Sequence, residues 1–458
     1  MIDPENCTLA QMASAFRQGR LDPRVVAEAC VNAHQLHGER LQAYKTWDES
    51  GLRKGADIAA RAFARGQDSG PLQGIPCSVK DLYGVPGLPT FAGTPRALPD
   101  RWQTPGPVVS SLLKQQACIS GKTHTVEFAY GGLGTNPHWG TPRNPWDSQQ
   151  HRVPGGSSSG AGVSLIESSA RLALGTDTAG SVRIPASMTG TVGLKLTKDR
   201  WSTEGIVPLS TSFDTPGVLS RTVKDMVWAF NALDQESVDD AQSARDMRIG
   251  IPDVFFWDDC DEGITDCVEQ ALKELETAGA SLQNMNLERT DDAFNYFRKG
   301  GLTPPELYAF LHDTLPEWLD CMDASVRQRM EAGKDIPAWE YVQRRSDLLS
   351  IGSAAAQQLR SIDVMVVPTV ATSAPALTAI AEPAAYAAFN IKALRNTCIA
   401  NLLGLCSLTI PVGLDNNGIP VGMMLMAGPG QELELLRCAL GMETVLGDAR
   451  SRLGKPSN

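Results

Sequence analysis

Between Gly155 and Pro185 the chain reads GGSSSGAGVSLIESSARLALGTDTAGSVRIP. Two glycine-flanked polar clusters, Ser157–Ser159 and Ser181, enclose an apolar run at Leu172–Gly175. Glycine permits tight turns and close backbone approach, so both clusters read as loops, and the apolar run between them reads as a buried strand. Upstream, Gly74-Ile-Pro-Cys-Ser-Val-Lys80-Asp81 is a matching piece, an apolar run that ends on a lysine. Any fold for this chain has to place these loops at strand ends.

The rest of the chain supplies the layers around them. Helices are expected at Thr8–Gln18, Asp22–His37 and Leu52–Ala64, the first two capped by Thr8 and Asp22. Strands are expected at Leu41–Trp47, Leu72–Val79, Cys118–Lys122, Thr191–Leu196, Arg248–Ile251, Val364–Pro368, Cys406–Val412 and Gly422–Ala427. Helices at Val108–Gln115, Gly160–Ala170, Ser181–Ser187, Thr222–Leu233, Thr265–Ala278 and Gln431–Leu446 alternate with them, which argues for an α/β core. Residues 127–154 form a long irregular loop, the kind that is more often functional than idle. From about 291 to 355 the pattern turns helical, which reads as a cap or insertion.

Composition excludes several partners. A net charge of −11 argues against nucleic acid or an anionic membrane surface, since phosphate contacts need a basic patch. Asp3 and Glu5 precede no apolar segment, so no secretory signal is expected. The uncharged stretches Val364–Ala381 and Asn396–Leu414 are broken by proline, asparagine and glycine, and read as core elements rather than membrane spans. A cytoplasmic location is expected. Ten cysteines without a C-x-x-C pair and six histidines without H-E-x-x-H signal neither a disulfide framework nor a metal site, and no cofactor is expected.

Each chemical candidate has a bland alternative. Lys80 either reaches the surface or pairs with Asp81, or it is held inside, where burial lowers its pKa and lets it act as a neutral base. The 155–160 loop lacks the G-K-[ST] of a phosphate cradle, and its G-x-S-x-G follows a polar loop rather than the strand that a nucleophile elbow needs. It remains a tight loop able to bring a hydroxyl and backbone N–H groups to a substrate. Ser181 either caps the next helix or sits where backbone N–H groups can hold an oxyanion. Ser111-Leu-Leu-Lys114 matches S-x-x-K, but no S-D-N accompanies it.

Taken together, GIPCSVKD (74–81), PGGSSSGAG (154–162) and LALGTDTAGSVRIPAS (172–187) resemble the amidase signature family of serine hydrolases. The likeness continues through Gly190–Lys195, Gly205–Leu209, Asp214–Gly217, Asn401–Pro411 and Gly418–Gly422. It is strong over roughly 60–235, fair over 360–445 and weak in the helical middle. The resemblance implies a single α/β domain spanning 1–458, a mixed central sheet covered by helices on both faces, with the insertion at about 291–355. It also implies that Ser181 is the nucleophile, Ser157 the bridging serine, held after a cis Gly156–Ser157 bond, and Lys80 the base. Ser157 rather than Ser158 takes this role because it lies 24 positions before Ser181. By the same resemblance the N–H groups of Thr178, Ala179, Gly180 and Ser181 hold the oxyanion, with Gly156 and Ser158 beside the substrate. The family usually reads GGSSGG and DTGGS, so Ser159 and Ala179 each add a side chain here. Arg183 either binds a substrate carboxylate or pairs with Asp177. The implied activity is hydrolysis of a small carboxamide by the chain alone, with a homodimer as a guess. The alternatives are the glutaminase component of a tRNA-dependent amidotransferase and an inactive scaffold.

Overall fold

The computed structural model describes residues 3, 5–252 and 254–456. Eleven strands form one mixed sheet. They are β1 (Tyr44–Trp47), β2 (Pro76–Lys80), β3 (Cys118–Thr123), β4 (Leu172–Asp177), β5 (Val192–Lys195), β6 (Thr215–Ser220), β7 (Arg248–Pro252), β8 (Ser281–Met285), β9 (Val364–Pro368), β10 (Cys406–Leu414) and β11 (Pro420–Ala427). Their order across the sheet is β1-β3-β2-β4-β6-β5-β10-β11-β9-β7-β8. β2 runs parallel to β3 and β4, whereas β6, β5, β10, β11 and β9 succeed one another antiparallel.

The two-residue period of the strands divides the core into layers. Leu172 and Leu174 face a large cluster with Met226, Phe230 and Leu436, while Ala173 between them faces Ala161, Leu165, Val182 and Ala186. Farther along, Val364, Val366, Met423 and Leu425 join the first layer, and Met365, Val367, Met424 and Met426 join a third cluster on the other side. The small residues of the Ser159–Glu167 and Arg183–Thr189 helices let these two helices lie close to the sheet. Helices therefore cover both faces, as the sequence implies.

Register positions the site. β2 and β4 run the same way and pair Val79 with Leu174, so Lys80 and Asp177 leave the sheet at one edge. Loops beyond the carboxyl ends of parallel strands are where α/β folds build crevices. β6 runs back antiparallel with Thr215 opposite Asp177, which returns Asp214 to that same edge.

The expected elements are present with shifted ends. The second helix extends to Leu41, and the strand before Lys80 begins only at Pro76. Two strands and two α-helices lack a sequence counterpart: β6, β8, the short Ala449–Leu453 helix and the helix Pro383–Leu402. That helix takes up the first half of the uncharged Asn396–Leu414 stretch, and β10 takes up the second. The 291–355 region is helical, with helices at Thr290–Arg298, Thr303–Thr314, Ala324–Glu331 and Ala338–Gln358.

Candidate active site

Lys80 is fully buried at the end of β2. Its Nζ donates to Ser157 Oγ at 2.8 Å and to Thr176 Oγ1 at 2.8 Å. No carboxylate of the described residues forms an ion pair with it; the neighbouring Asp81 pairs instead with buried Lys122 at 3.0 Å. Burial disfavours the ammonium, and Asp177 and Asp214 only partly offset this, so the pKa falls to about 7. Of the two readings of Lys80, the inside one holds.

The 177–183 turn is fixed by one carboxylate. Asp177 accepts from the N–H of Gly180 at 2.8 Å and of Val182 at 3.2 Å, and receives Arg183 through Nε and Nη2, both at 3.0 Å. Burial alone would raise the Asp177 pKa, but the Arg183 charge and its bonds outweigh burial and bring it down to about 2. Arg183 also donates to Thr397 O and Asn401 Oδ1, which leaves it no group for a substrate. Its structural reading, pairing with Asp177, is the one the geometry supports.

The same bonds sort the expected oxyanion donors. The Gly180 N–H is taken by Asp177. Among the described residues, the N–H groups of Ala179 and Ser181 have no hydrogen-bond partner. Gly180 has φ of +130°, and a Cβ there would lie 2.1 Å from Thr397 Oγ1, so only glycine fits. Thr178 turns its hydroxyl to Asp214 Oδ1 at 2.6 Å.

The serine loop lies directly against this turn. The Gly156–Ser157 peptide is cis. Gly156 N–H donates to Gly132 O at 2.7 Å, Val126 N–H to Ser157 O at 3.2 Å, and Ser158 N–H to Ser181 O at 3.2 Å. The 126–132 segment thus backs the loop, and Asn390 Oδ1 holds Gly132 N–H at 2.7 Å. Phe128 and Ala129 occupy the left-handed region at φ of 45° and 59°, a conformation that consecutive non-glycine residues keep only when packing enforces it. Ser158, expected beside the substrate, directs its hydroxyl to the Thr176 backbone, with its oxygen 3.3 Å from Thr176 O.

A cavity of about 340 Å³ opens beside Lys80, lined by Leu82, Trp102, Ala129, Thr176, Ile206 and Asp214 among others. Asp214 is buried, and burial raises its pKa to about 6 against the bonds from Thr178, Ser210 and Leu209. Sequence reasoning brought Lys80, Ser157 and Ser181 to one place. It missed the roles of Thr176 and Asn401, although both lie in resembling segments, and it missed Thr397, which lies outside them. Asp214 had a signal, since Asp214-Thr-Pro-Gly217 belongs to the resembling segments, but its role needed the register of β6. Among the described residues, no group of metal-ligating side chains is present, and no helix is long and apolar enough to cross a membrane.

The fold and the arrangement at the ends of β2 and β4 are those of a C–N bond hydrolase. The chain belongs to the Amidase family, whose profile matches residues 25–436. It is 50% identical to a 2-amino-5-chloromuconic acid deaminase from Comamonas testosteroni over 459 residues, 99% of each chain. It is 31% identical to a glutamyl-tRNA(Gln) amidotransferase component from Halorhodospira halophila, over 94% of this chain and 95% of that one. A crystal structure of an amidase superposes with a TM-score of 0.87 at 28% identity, covering 96% of this chain and 100% of the other.

Proposed function

We propose that the chain alone hydrolyses a small carboxamide to an acid and ammonia or an amine through an acyl-enzyme on Ser181. The observation that carries this reading is the buried Lys80, 2.8 Å from Ser157 and without a carboxylate partner among the described residues. With a pKa of about 7, much of it is neutral near physiological pH and can take a proton. Ser157 passes its proton to Lys80 and takes one from Ser181, whose Oγ then attacks the carbonyl carbon. The Ala179 and Ser181 N–H groups, without a partner among the described residues, are the donors aimed at the developing oxyanion. The relay returns a proton to the departing nitrogen, and water then cleaves the ester to release the acid and restore the Ser181 hydroxyl. Ser158, with its hydroxyl committed to Thr176, positions the loop rather than touching substrate. No metal or cofactor takes part in this scheme.

The relative at 50% identity is named for an acid that carries an amino group, which supports a substrate bearing a carboxylate. The glutaminase reading is the weaker one, since the amidotransferase relative stands at 31%. We place the enzyme in the cytoplasm, with which ten free cysteines are compatible, and take a homodimer as its assembly. The test is ammonia release by the purified chain from aliphatic and aryl amides, monoamides of dicarboxylic acids, and glutamine, each repeated with Ser181→Ala. Turnover of a non-glutamine amide that vanishes in the variant is expected. Activity on glutamine alone would favour the glutaminase reading, and failure to react with a fluorophosphonate would favour the scaffold.

A further inference from the structure

Among the described residues three arginines are buried, and two of them are well bonded. Arg183 is held by Asp177, Thr397 O and Asn401, and Arg344 by Glu340 and the carbonyls of Lys299 and Gly301. Arg171 is the third. It is wholly buried, yet neither its Nε nor either of its Nη atoms has a hydrogen-bond partner among the described residues. The acid nearest to it in sequence, Glu167, is taken by His34 at 2.8 Å and by the Ser169 hydroxyl at 2.9 Å. A guanidinium cannot shed its proton to escape burial, so a charge in this position needs a counterion.

The sheet brings a second cation to the same place. The Arg171 N–H donates to Pro76 O at 2.9 Å, which fixes its backbone beside β2. β4 and β6 pair Ala173 with Leu219, so two residues back along that register Arg171 faces Arg221 from the same side of the sheet. Arg221 donates through Nη1 to Glu5 O at 2.7 Å. Burial first, and then the Arg171 charge, bring the Arg221 pKa down to about 10, which leaves both groups charged at neutral pH. The buried carboxylate of Asp225 feels both charges, but its Oδ1 accepts from the Leu9 N–H at 2.6 Å and makes no ion pair with either arginine. Asp3 also feels Arg171, but it is exposed and accepts from the Glu5 N–H and the Asn6 side chain. Two buried guanidinium groups thus face one buried carboxylate, an excess of one positive charge.

We infer that Arg171 and Arg221 hold a small monovalent anion of the halide class at the end of the sheet remote from Lys80. Arg171 enters β4 at its start and Asp177 ends it, roughly 20 Å away at strand spacing, so the site is separate from the hydrolytic chemistry. Cys30, wholly buried among Ala27, Val31 and Leu52, is near enough to feel the Arg171 charge. Surroundings so closed and apolar call for an ion rather than a metabolite. The bland alternative is a buried water on Arg171.

Bromide in place of chloride marks the site by anomalous scattering. A peak in contact with the Arg171 guanidinium is expected in crystals of the wild type, and none there in Arg171→Met. In solution, chloride is raised against gluconate, which is too large to enter, at constant ionic strength. The wild-type Tm is expected to rise saturably, on the order of 2 °C at about tenfold the half-saturating chloride, and Arg171→Met is expected not to respond. Bromide at exposed positions only, a water in place of the peak, or an equal chloride response in both chains overturns the inference. Should Arg171→Met fail to fold, Arg221→Met replaces it with the same expectation. If neither folds, the wild-type bromide map decides.

Discussion

Lys80 illustrates how one position changes meaning with its surroundings. In the sequence it is a lysine at the end of an apolar run, where exposure is the ordinary outcome. In the fold it is sealed behind Ser157 and Thr176. Replacing it with methionine removes the base from the proposed relay, and activity is expected to fall by about 10³-fold or more. The methionine variant is expected to remain folded with an unchanged or higher Tm, because a buried ammonium seldom adds net stability; a paired activity assay and thermal melt read both. The pH profile follows from the same group. The wild-type kcat/KM is expected to rise about tenfold per pH unit up to about 7 and then level, as Lys80 loses its proton. Asp214 stabilises the Lys80 ammonium, so Asp214→Asn should lower the Lys80 pKa further and move this midpoint to lower pH. A midpoint that stays put or moves up would show that Asp214 has no such role. Stability carries the same sign. Between pH about 7 and 10.5 the unfolded lysine holds more proton than the folded one, so its contribution grows with pH across that window. Denaturant titrations of wild type and Lys80→Met at several pH values would show it as a difference.

At the scale of elements, the 177–183 turn is the best-determined piece of the site. Asp177 holds the turn from inside, Arg183 neutralises it, and Thr397 and Asn401 reach it from the Pro383–Leu402 helix. Gly180→Ala would place a methyl against Thr397 at a φ that alanine resists, and is expected to cost about 1–3 kcal/mol with loss of activity. Adding Thr397→Ala removes the clash but not the unfavourable φ, so only part of that stability should return, as a double-mutant cycle by chemical denaturation would measure. The turn was legible because glycine, serine and aspartate state their backbone needs locally. The helix Pro383–Leu402 was not. From Asn396 to its end it carries no charge, and its asparagines there read as turn signals. In the fold those asparagines bond inward: Asn396 to Phe256 O and Pro368 O, Asn401 to Asp177. Such side chains look like loop formers until their distant partners are known.

For the molecule as a whole, the α/β class was readable, because strand-helix alternation is a local property, whereas the meeting of three distant motifs was implied by the resemblance to the amidase signature family. The sheet order was not readable. β6 carries a proline and a glycine that weaken its strand pattern, and β8 lies at the sheet edge with partly exposed residues, so neither shows a strong period. Of the irregular 127–154 loop, the cavity beside Lys80 draws on Ala129, but more of its lining comes from 203–215. One sheet runs through the chain, from β1 near the start to β11 near the end. We propose that residues 1–458 accordingly behave as one domain. Calorimetry is expected to give one cooperative transition, and separate transitions for the sheet and the 291–355 helices would divide it.

The chemistry proposed for Ser181 and Lys80 is tested most directly by the mass of the chain after reaction with a fluorophosphonate, with the modified peptide located. One adduct per chain is expected, on Ser181, formed by the wild type and lost or greatly slowed in Lys80→Ala. An adduct on another residue, or equal labelling without Lys80, would contradict it.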